Sequence, residues 1–209
     1  MTEFWESSFR DKQVMWGWEP TPSAIMALEL FKKHDLNNIL IPGFGYGRNG
    51  KIFIDNGLNV TGIEISQTAI DLAKTHFGES LNIHHGSVND MPFDQEHFDG
   101  IFCYALIHLL NQEERENLIK NCYNQLIANG YMLFVAISKK DARYGQGKEI
   151  GIDTFQSPIG VTFFFYDADS VEKEFGKFGL VEAEEIVEPE NVLANKPSLR
   201  FWKILCKKK

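Results

Sequence analysis

Ile39-Leu40-Ile41-Pro42-Gly43-Phe44-Gly45-Tyr46-Gly47-Arg48-Asn49-Gly50 is an apolar run that stops at a proline and then sets glycines at alternate positions. A buried strand is ending there in a turn. Glycine reaches backbone dihedrals closed to other residues and lets a ligand lie directly against the main chain, so the loop suits close approach. Residues 47–56 carry Ile52, Phe53 and Ile54 before Gly57 and predict a short helix, which puts the glycines at a strand-to-helix junction. Residues 58–66 then predict a second strand with Glu64 near its carboxyl end. An acid at the tip of the second strand of a βαβ unit is placed to accept both hydroxyls of a ribose, which points to a nucleoside cofactor.

Read from Gly45, the dinucleotide spacing Gly-x-Gly-x-x-Gly is met by Gly45, Gly47 and Gly50; read from Gly43 it fails at Arg48. Spacing alone therefore leaves a nicotinamide cofactor open. The ordered series of loop, helix, strand and acid resembles the class I S-adenosylmethionine-dependent methyltransferases from about Ile39 to the end of the chain. Their loop has the form Gly-x-Gly-x-Gly, matched by Gly43-Phe44-Gly45-Tyr46-Gly47. Most members carry an acid where this chain has Ile41. Pro42 resembles the thiol and thiopurine methyltransferase branch, and Trp16-Gly17-Trp18-Glu19-Pro20 resembles the tellurite-resistance-type enzymes. The resemblance implies S-adenosyl-L-methionine as cofactor, held by Gly43, Phe44, Gly45, Glu64 and Ile65. It also implies an adenine contact by Ser87, Val88 and Asn89 in the turn 86–93, and a methionine contact at Cys103, mostly through backbone.

With 209 residues, 44% of them hydrophobic, the chain is of single-domain size. We expect one methyltransferase domain over 1–209, with 1–36 as a cap segment and helix and 37–209 as the cofactor-binding core. A net charge of -8 and scattered basic residues argue against nucleic acid or an anionic membrane as partner and favour a small-molecule substrate. The first residues lack the basic start and apolar run of a signal peptide, and no stretch has transmembrane length, so a cytoplasmic protein is expected. Cys103, Cys122 and Cys206 have no paired spacing, which argues against disulfides and structural zinc; no metal is expected. The sequence sets no oligomeric state.

Along the rest of the chain, Phe4, Trp5, Phe9, Trp16 and Trp18 must pack on something, either as a helix docked for stability or as a cover over the cofactor mouth. Thr21 and Pro22 open a helix through 34, and Ser66 caps one ending near Gly78. Strands are expected over 81–85, 98–103 and 131–137, with a helix from Asn111 to about 129 bearing Glu113 and Glu114 in its first turn. Residues 138–160 lose all pattern and predict a substrate-covering loop with Gly145, Gly147 and Gly151 as hinges. An aromatic strand-like run over 161–166, a helix opened by Asp169 or Ser170 and running to 178, and strands over 180–187 and 199–206 complete the chain. The expected fold is α/β, a doubly wound, mostly parallel seven-stranded sheet whose final strand is antiparallel.

Methyl transfer from a sulfonium needs alignment and exclusion of water more than catalytic groups. A base matters only where the acceptor enters protonated. His108, just past the fourth strand, is the candidate base, and Tyr104 the alternative as a positioning hydroxyl. Helix-start histidines are more often satisfied by nearby backbone. Trp16, Trp18 and Tyr144 are candidate lid or substrate residues. Two other readings stand beside this one: an NAD(P)-linked oxidoreductase, for which Tyr144 and Lys148 have the Tyr-x-x-x-Lys spacing but two intervening glycines oppose the helix it needs, and a non-catalytic S-adenosylmethionine-binding protein. His84 and His85, adjacent on a strand, point to opposite faces and share no metal site.

Overall fold

Ile39, Leu40 and Ile41 alternate between the two faces of a central strand. Ile39 and Ile41 join one buried cluster, and Leu40 joins the other. That alternation fixes the layers. The computed structural model describes residues 2–91, 97–188 and 199–209. Its strands in chain order are β1 (Asn38–Pro42), β2 (Asn59–Glu64), β3 (Asn82–His85), β4 (Phe98–Tyr104), β5 (Leu126–Ile137), β6 (Lys148–Gly151), β7 (Thr154–Gln156), β8 (Thr162–Phe164), β9 (Leu180–Glu188) and β10 (Leu199–Lys207). The helices are α1 (Thr2–Lys12), α2 (Pro22–Lys33), α3 (Gly50–Asp55), α4 (Gln67–Phe77), α5 (Gln112–Gln125) and α6 (Ala168–Phe175).

The main sheet has seven strands in the order β3-β2-β1-β4-β5-β10-β9. β1 pairs parallel with β2 and β4, and β10 runs antiparallel to both β5 and β9. The order reverses between β1 and β4, and crevices at such switch points, outside the carboxyl ends of the strands, are where open α/β sheets bind ligands. Helices α2, α3 and α4 cover one face through Phe31, Phe53 and Ala73, and α5 and α6 cover the other through Ile119 and Phe175. Expected caps form as drawn from the sequence: Thr21 accepts the Ala24 N–H and Ser66 accepts the Ala69 N–H.

Three boundaries differ from the sequence expectation. Helix α5 ends at Gln125 rather than near 129, because Leu126 turns extended, is fully buried and pairs with Phe98. Asn129, where the helix was expected to end, lies in a turn inside the strand instead: it has φ 66° and gives its N–H to the Lys208 carbonyl. Helix α6 is capped by Asp167, not Asp169 or Ser170; Ser170 is the reciprocal partner in the capping box. The third correction matters most. Residues 138–160 are not a plain loop, because β6 and β7 lie in them and pair antiparallel with β8 as a second, three-stranded sheet. These strands are too short and too exposed to show alternation. Lys139 pins them by bridging Asp153 and Asp167 at 2.7 and 2.5 Å. Pro92 and Phe93 of the turn 86–93, and the connection 189–198 between the last strands, lie outside the described residues.

α1 docks through a charge. The Glu6 carboxylate accepts the Ser66 and Thr68 hydroxyls and the Thr68 N–H at the start of α4, and those bonds hold its carboxyl below the ordinary value. Phe9 and Trp16 then pack against Tyr46 of the glycine loop.

Candidate active site

The glycine loop, the carboxyl ends of β2 and β4, the turn after β3 and the small sheet enclose a cavity of about 560 Å³. Gly43, Gly45 and Gly47 all have positive φ, at 71°, 58° and 85°. Glycine at 62 is needed for a different reason: a Cβ there would sit 2.7 Å from the Phe44 ring, which the loop lays across β2. The sequence thus spends its glycines on turning the chain and seating Phe44 beneath it.

Glu64 is 6% exposed at the tip of β2. One carboxylate oxygen accepts the Gly45 N–H at 2.7 Å, and the other accepts the Ile65 and Ser66 N–H groups, both at 2.9 Å. Burial raises its pKa, while these backbone donors favour the ionised form. A carboxylate has about four acceptor positions, so Glu64 retains capacity for a ligand hydroxyl while its own rotamer is locked.

In the turn after β3, Asn89 gives its Nδ2 to Glu114 at 3.1 Å, and Glu114 is itself fixed as the reciprocal partner of the Asn111 cap on α5. That orients the Asn89 amide. Its Oδ1 is buried with no partner among the described residues. A buried orphan acceptor costs free energy until a donor reaches it, so this atom is set for an amine-bearing ligand. Val88 is buried beside it, and Ser87 and Val88 line the same wall.

At the other end, the Tyr104 hydroxyl donates to Glu188 at 3.0 Å, and Glu188 is held by the N–H and hydroxyl of Ser23. Burial and then the Glu188 charge push the tyrosine pKa upward. His108 is 3% exposed, and its Nδ1 accepts the Ile137 N–H at 3.1 Å. Nε2 therefore carries the ring proton. Burial, with the Arg143 charge added and Asp141 opposing, lowers the imidazole pKa from 6.5 to about 3. This sets a linkage. As pH falls from about 6.5 toward 3 the unfolded imidazole takes up a proton that the folded one refuses, so stability drops by up to about 1.4 kcal/mol per pH unit. Urea unfolding between pH 7 and 4 should be less pH-dependent in His108→Gln than in the parent; equal slopes would contradict a neutral, buried ring.

Of the residues singled out from the sequence, Gly43, Phe44, Gly45, Glu64, Ile65, Ser87, Val88, Asn89, Tyr104, His108 and Trp16 line one cavity. Cys103 does not: it faces the α5 side of the sheet, and its neighbours Phe102 and Tyr104 reach the cavity. Trp18 lies outside it, stacked on His76 at 3.6 Å. Tyr144 also lies outside, donating to Asp153 and packing on Phe155 and Phe165, while Lys148 sits on β6, so the Tyr-x-x-x-Lys pair is on no helix. Sequence reasoning missed Glu114, Arg48, Arg143, Phe163 and Phe201, which also line the cavity. Glu114 carried a signal, three residues after the Asn111 cap, and it meets Asn89 of the turn after β3. Phe163 and Arg143 carried none, because the small sheet that delivers them was not legible. Among the described residues no three His, Cys, Asp or Glu side chains are grouped to hold a metal ion, and no helix is long and apolar enough to cross a membrane.

Residues 40–134 match the family described as a methyltransferase domain. Ubiquinone biosynthesis O-methyltransferase of Coxiella burnetii is 29% identical over 110 residues, covering 51% of this chain and only 46% of that protein's length. Thiocyanate methyltransferase 1 of Arabidopsis thaliana is 26% identical over 176 residues, 81% of this chain and 75% of its own. Among solved structures, the 1,6-didemethyltoxoflavin N1-methyltransferase of Burkholderia thailandensis, with its substrate and S-adenosylhomocysteine bound, superposes with a TM-score of 0.75 at 15% identity. That superposition covers all of this chain (100%) and 87% of the other.

Proposed function

We propose that the chain is a class I S-adenosylmethionine-dependent methyltransferase that transfers a methyl group from S-adenosylmethionine to a small-molecule acceptor within this cavity, a reading supported by the matched methyltransferase domain and the relatives above. The observation that carries the reading is the pairing in one cavity of the Glu64 carboxylate with the orphaned Asn89 Oδ1. A ribose diol suits the first and an exocyclic adenine amine the second, so the donor set fits an adenosine. The cofactor, when bound, supplies a methyl group activated by the positive charge on its sulfur. The chain's own residues do the rest. The loop at Gly43 and Gly45 brings backbone against the ligand, Val88 packs beside the base, and Trp5, Phe9 and Trp16 wall off water at the mouth. Alignment is then the main catalytic contribution, and Tyr104 and His108 stand at the acceptor end.

We place the protein in a reducing compartment such as the cytoplasm because Cys103, Cys122 and Cys206 are all free and buried. The net charge of -8 argues against a polynucleotide partner. Incubation with S-adenosylmethionine labelled in the methyl group, across a panel of small thiols, anions, amines, phenols and carboxylates, tests the function. Label in one small product is the expected result; cofactor binding without transfer to any class would instead favour a non-catalytic binding protein.

A further inference from the structure

The buried carboxylates among the described residues are Glu64, Asp141, Glu174 and Glu188. Asp141 and Glu174 have arginine partners, Arg143 at 2.7 Å and Arg115 at 2.9 Å. Glu64 takes three backbone N–H groups and faces the glycine loop. Glu188, 4% exposed at the end of β9, forms no ion pair among the described residues. One of its oxygens accepts the Ser23 N–H at 2.6 Å and the Ser23 hydroxyl, in the first turn of α2, and the other accepts the Tyr104 hydroxyl at 3.0 Å. A buried charge is costly without an opposite charge to meet it, and hydrogen bonds and a helix dipole offset only part of that cost.

Tyr104 carries this charge to the cavity. Glu188 is not on the cavity wall, but the Tyr104 ring is, with the Phe102 and Phe201 ring centroids at 6.1 and 5.8 Å. A carboxylate only accepts, so the single phenolic proton is committed to Glu188 and the hydroxyl oxygen has only lone pairs to offer a ligand. Toward a ligand Tyr104 is therefore an acceptor with a carboxylate behind it, and the ring faces beside it also favour a cation. Of the side-chain charges that act on this hydroxyl, Glu188 has the largest effect, ahead of Arg48 and Arg143, and Asp141 meets the Arg143 charge. Strand order fixes the place. Asn89 follows β3, Glu64 ends β2, the glycine loop follows β1 and Tyr104 ends β4, in that sequence across the sheet. With neighbouring strands about 4.8 Å apart, Tyr104 stands two spacings from Glu64, about 10 Å, on the side away from Asn89. A base against Asn89 and a ribose on Glu64 leave the 5′ substituent of an adenosine at the Tyr104 end of the cavity.

We propose that Glu188 is a positioning residue that makes Tyr104 a one-way hydrogen-bond acceptor, and that the pair shifts the balance of affinity toward the methylated cofactor, cationic at sulfur, and away from its demethylated product. This rests on the methyl-transfer reading and deepens it. In the transfer the acceptor's lone pair forms the bond to the methyl carbon, the carbon–sulfur pair returns to sulfur, and the positive charge there is lost. The attraction supplied by Tyr104 and Glu188 is lost with it, which favours exchange of spent cofactor for fresh. That attraction belongs to the ground state and is not a source of rate in the chemical step.

Calorimetric titration of the full chain with S-adenosylhomocysteine, S-adenosylmethionine and sinefungin, an unreactive analogue with an ammonium-bearing carbon in place of the methylsulfonium, tests the pair. Tyr104→Phe removes the hydroxyl oxygen, and Glu188→Gln offers an amide that donates to Tyr104 and turns its proton toward the cavity. Each should weaken both cationic ligands roughly tenfold and S-adenosylhomocysteine by less than about twofold. Because Glu188 acts through Tyr104, the double variant should lose no more than Tyr104→Phe alone. Equal losses for all three ligands would reduce the pair to a structural contact and overturn the proposal. Unchanged affinity for both cations, or a loss confined to S-adenosylmethionine with sinefungin spared, would overturn it too, in each case with methyl transfer left standing. Should Glu188→Gln not fold, Tyr104→Phe decides by the same comparison. Failure of S-adenosylhomocysteine to bind the parent would overturn the underlying reading, and this proposal with it.

Discussion

Arg115→Ala should cost about 3–5 kcal/mol of folding stability. Arg115 on α5 and Glu174 on α6 are 5% and 9% exposed. Their ion pair closes at 2.9 Å, the Arg115 Nη1 also reaches the Leu110 carbonyl, and the guanidinium lies 3.7 Å over the Phe164 ring. Glu174 takes a further bond from the Tyr166 hydroxyl at 2.7 Å. Truncating the arginine leaves a buried carboxylate with a tyrosine as its sole side-chain donor. The charge would be desolvated without compensation, and α6 would lose its tie to α5 just where the small sheet joins the core. For a chain of this size the melting temperature should fall by roughly 6–20 °C. The double replacement Arg115→Met with Glu174→Leu should recover most of that, since an apolar pair of similar volume often equals a buried ion pair. A single-variant loss below about 1 kcal/mol would contradict the network as described.

Glu64→Gln should leave the fold largely intact and weaken S-adenosylhomocysteine by about 2–4 kcal/mol, roughly 30- to 1000-fold. The amide keeps the size of the side chain but cannot accept from ribose hydroxyls with a full negative charge. It also turns a donor toward one of the N–H groups that now bond Glu64. Glu64→Ala should lose similar affinity and more stability, because the loop and the turn into α4 would lose their common anchor. Equal affinity in parent and Glu64→Gln would remove Glu64 from the ribose.

The half of the candidate site built on the glycine loop was legible because its requirements are local. Glycines that must turn the chain, an acid at a strand tip and a capped helix after it are each set by a few neighbouring residues, and Gly43, Gly45, Glu64 and Ser66 sit as their spacing implied. The same holds for Thr21 and Asn111 as caps. The half of the cavity around Phe163, Arg143 and Phe201 was not legible, because it is assembled from distant segments. Phe163 arrives on a strand of three residues, Arg143 from the turn before the small sheet, and Phe201 from the antiparallel return. No periodicity announces strands as short as β6 and β7, which pairing and Lys139 hold in place. The role open to His108 depends on a hydrogen bond to Ile137, 29 residues away, that no local pattern reveals. Boundaries failed where tertiary contact outweighed propensity: Leu126 leaves a helix that could have continued, because Phe98 offers it a buried strand position.

Calorimetric titration of the purified chain with S-adenosylhomocysteine and, under the same conditions, with NAD tests the account at its centre. The methyl-transfer reading predicts saturable one-to-one binding of S-adenosylhomocysteine and at least tenfold weaker binding of NAD, about 1.4 kcal/mol or more apart. No binding of S-adenosylhomocysteine, or tighter binding of NAD, would contradict it.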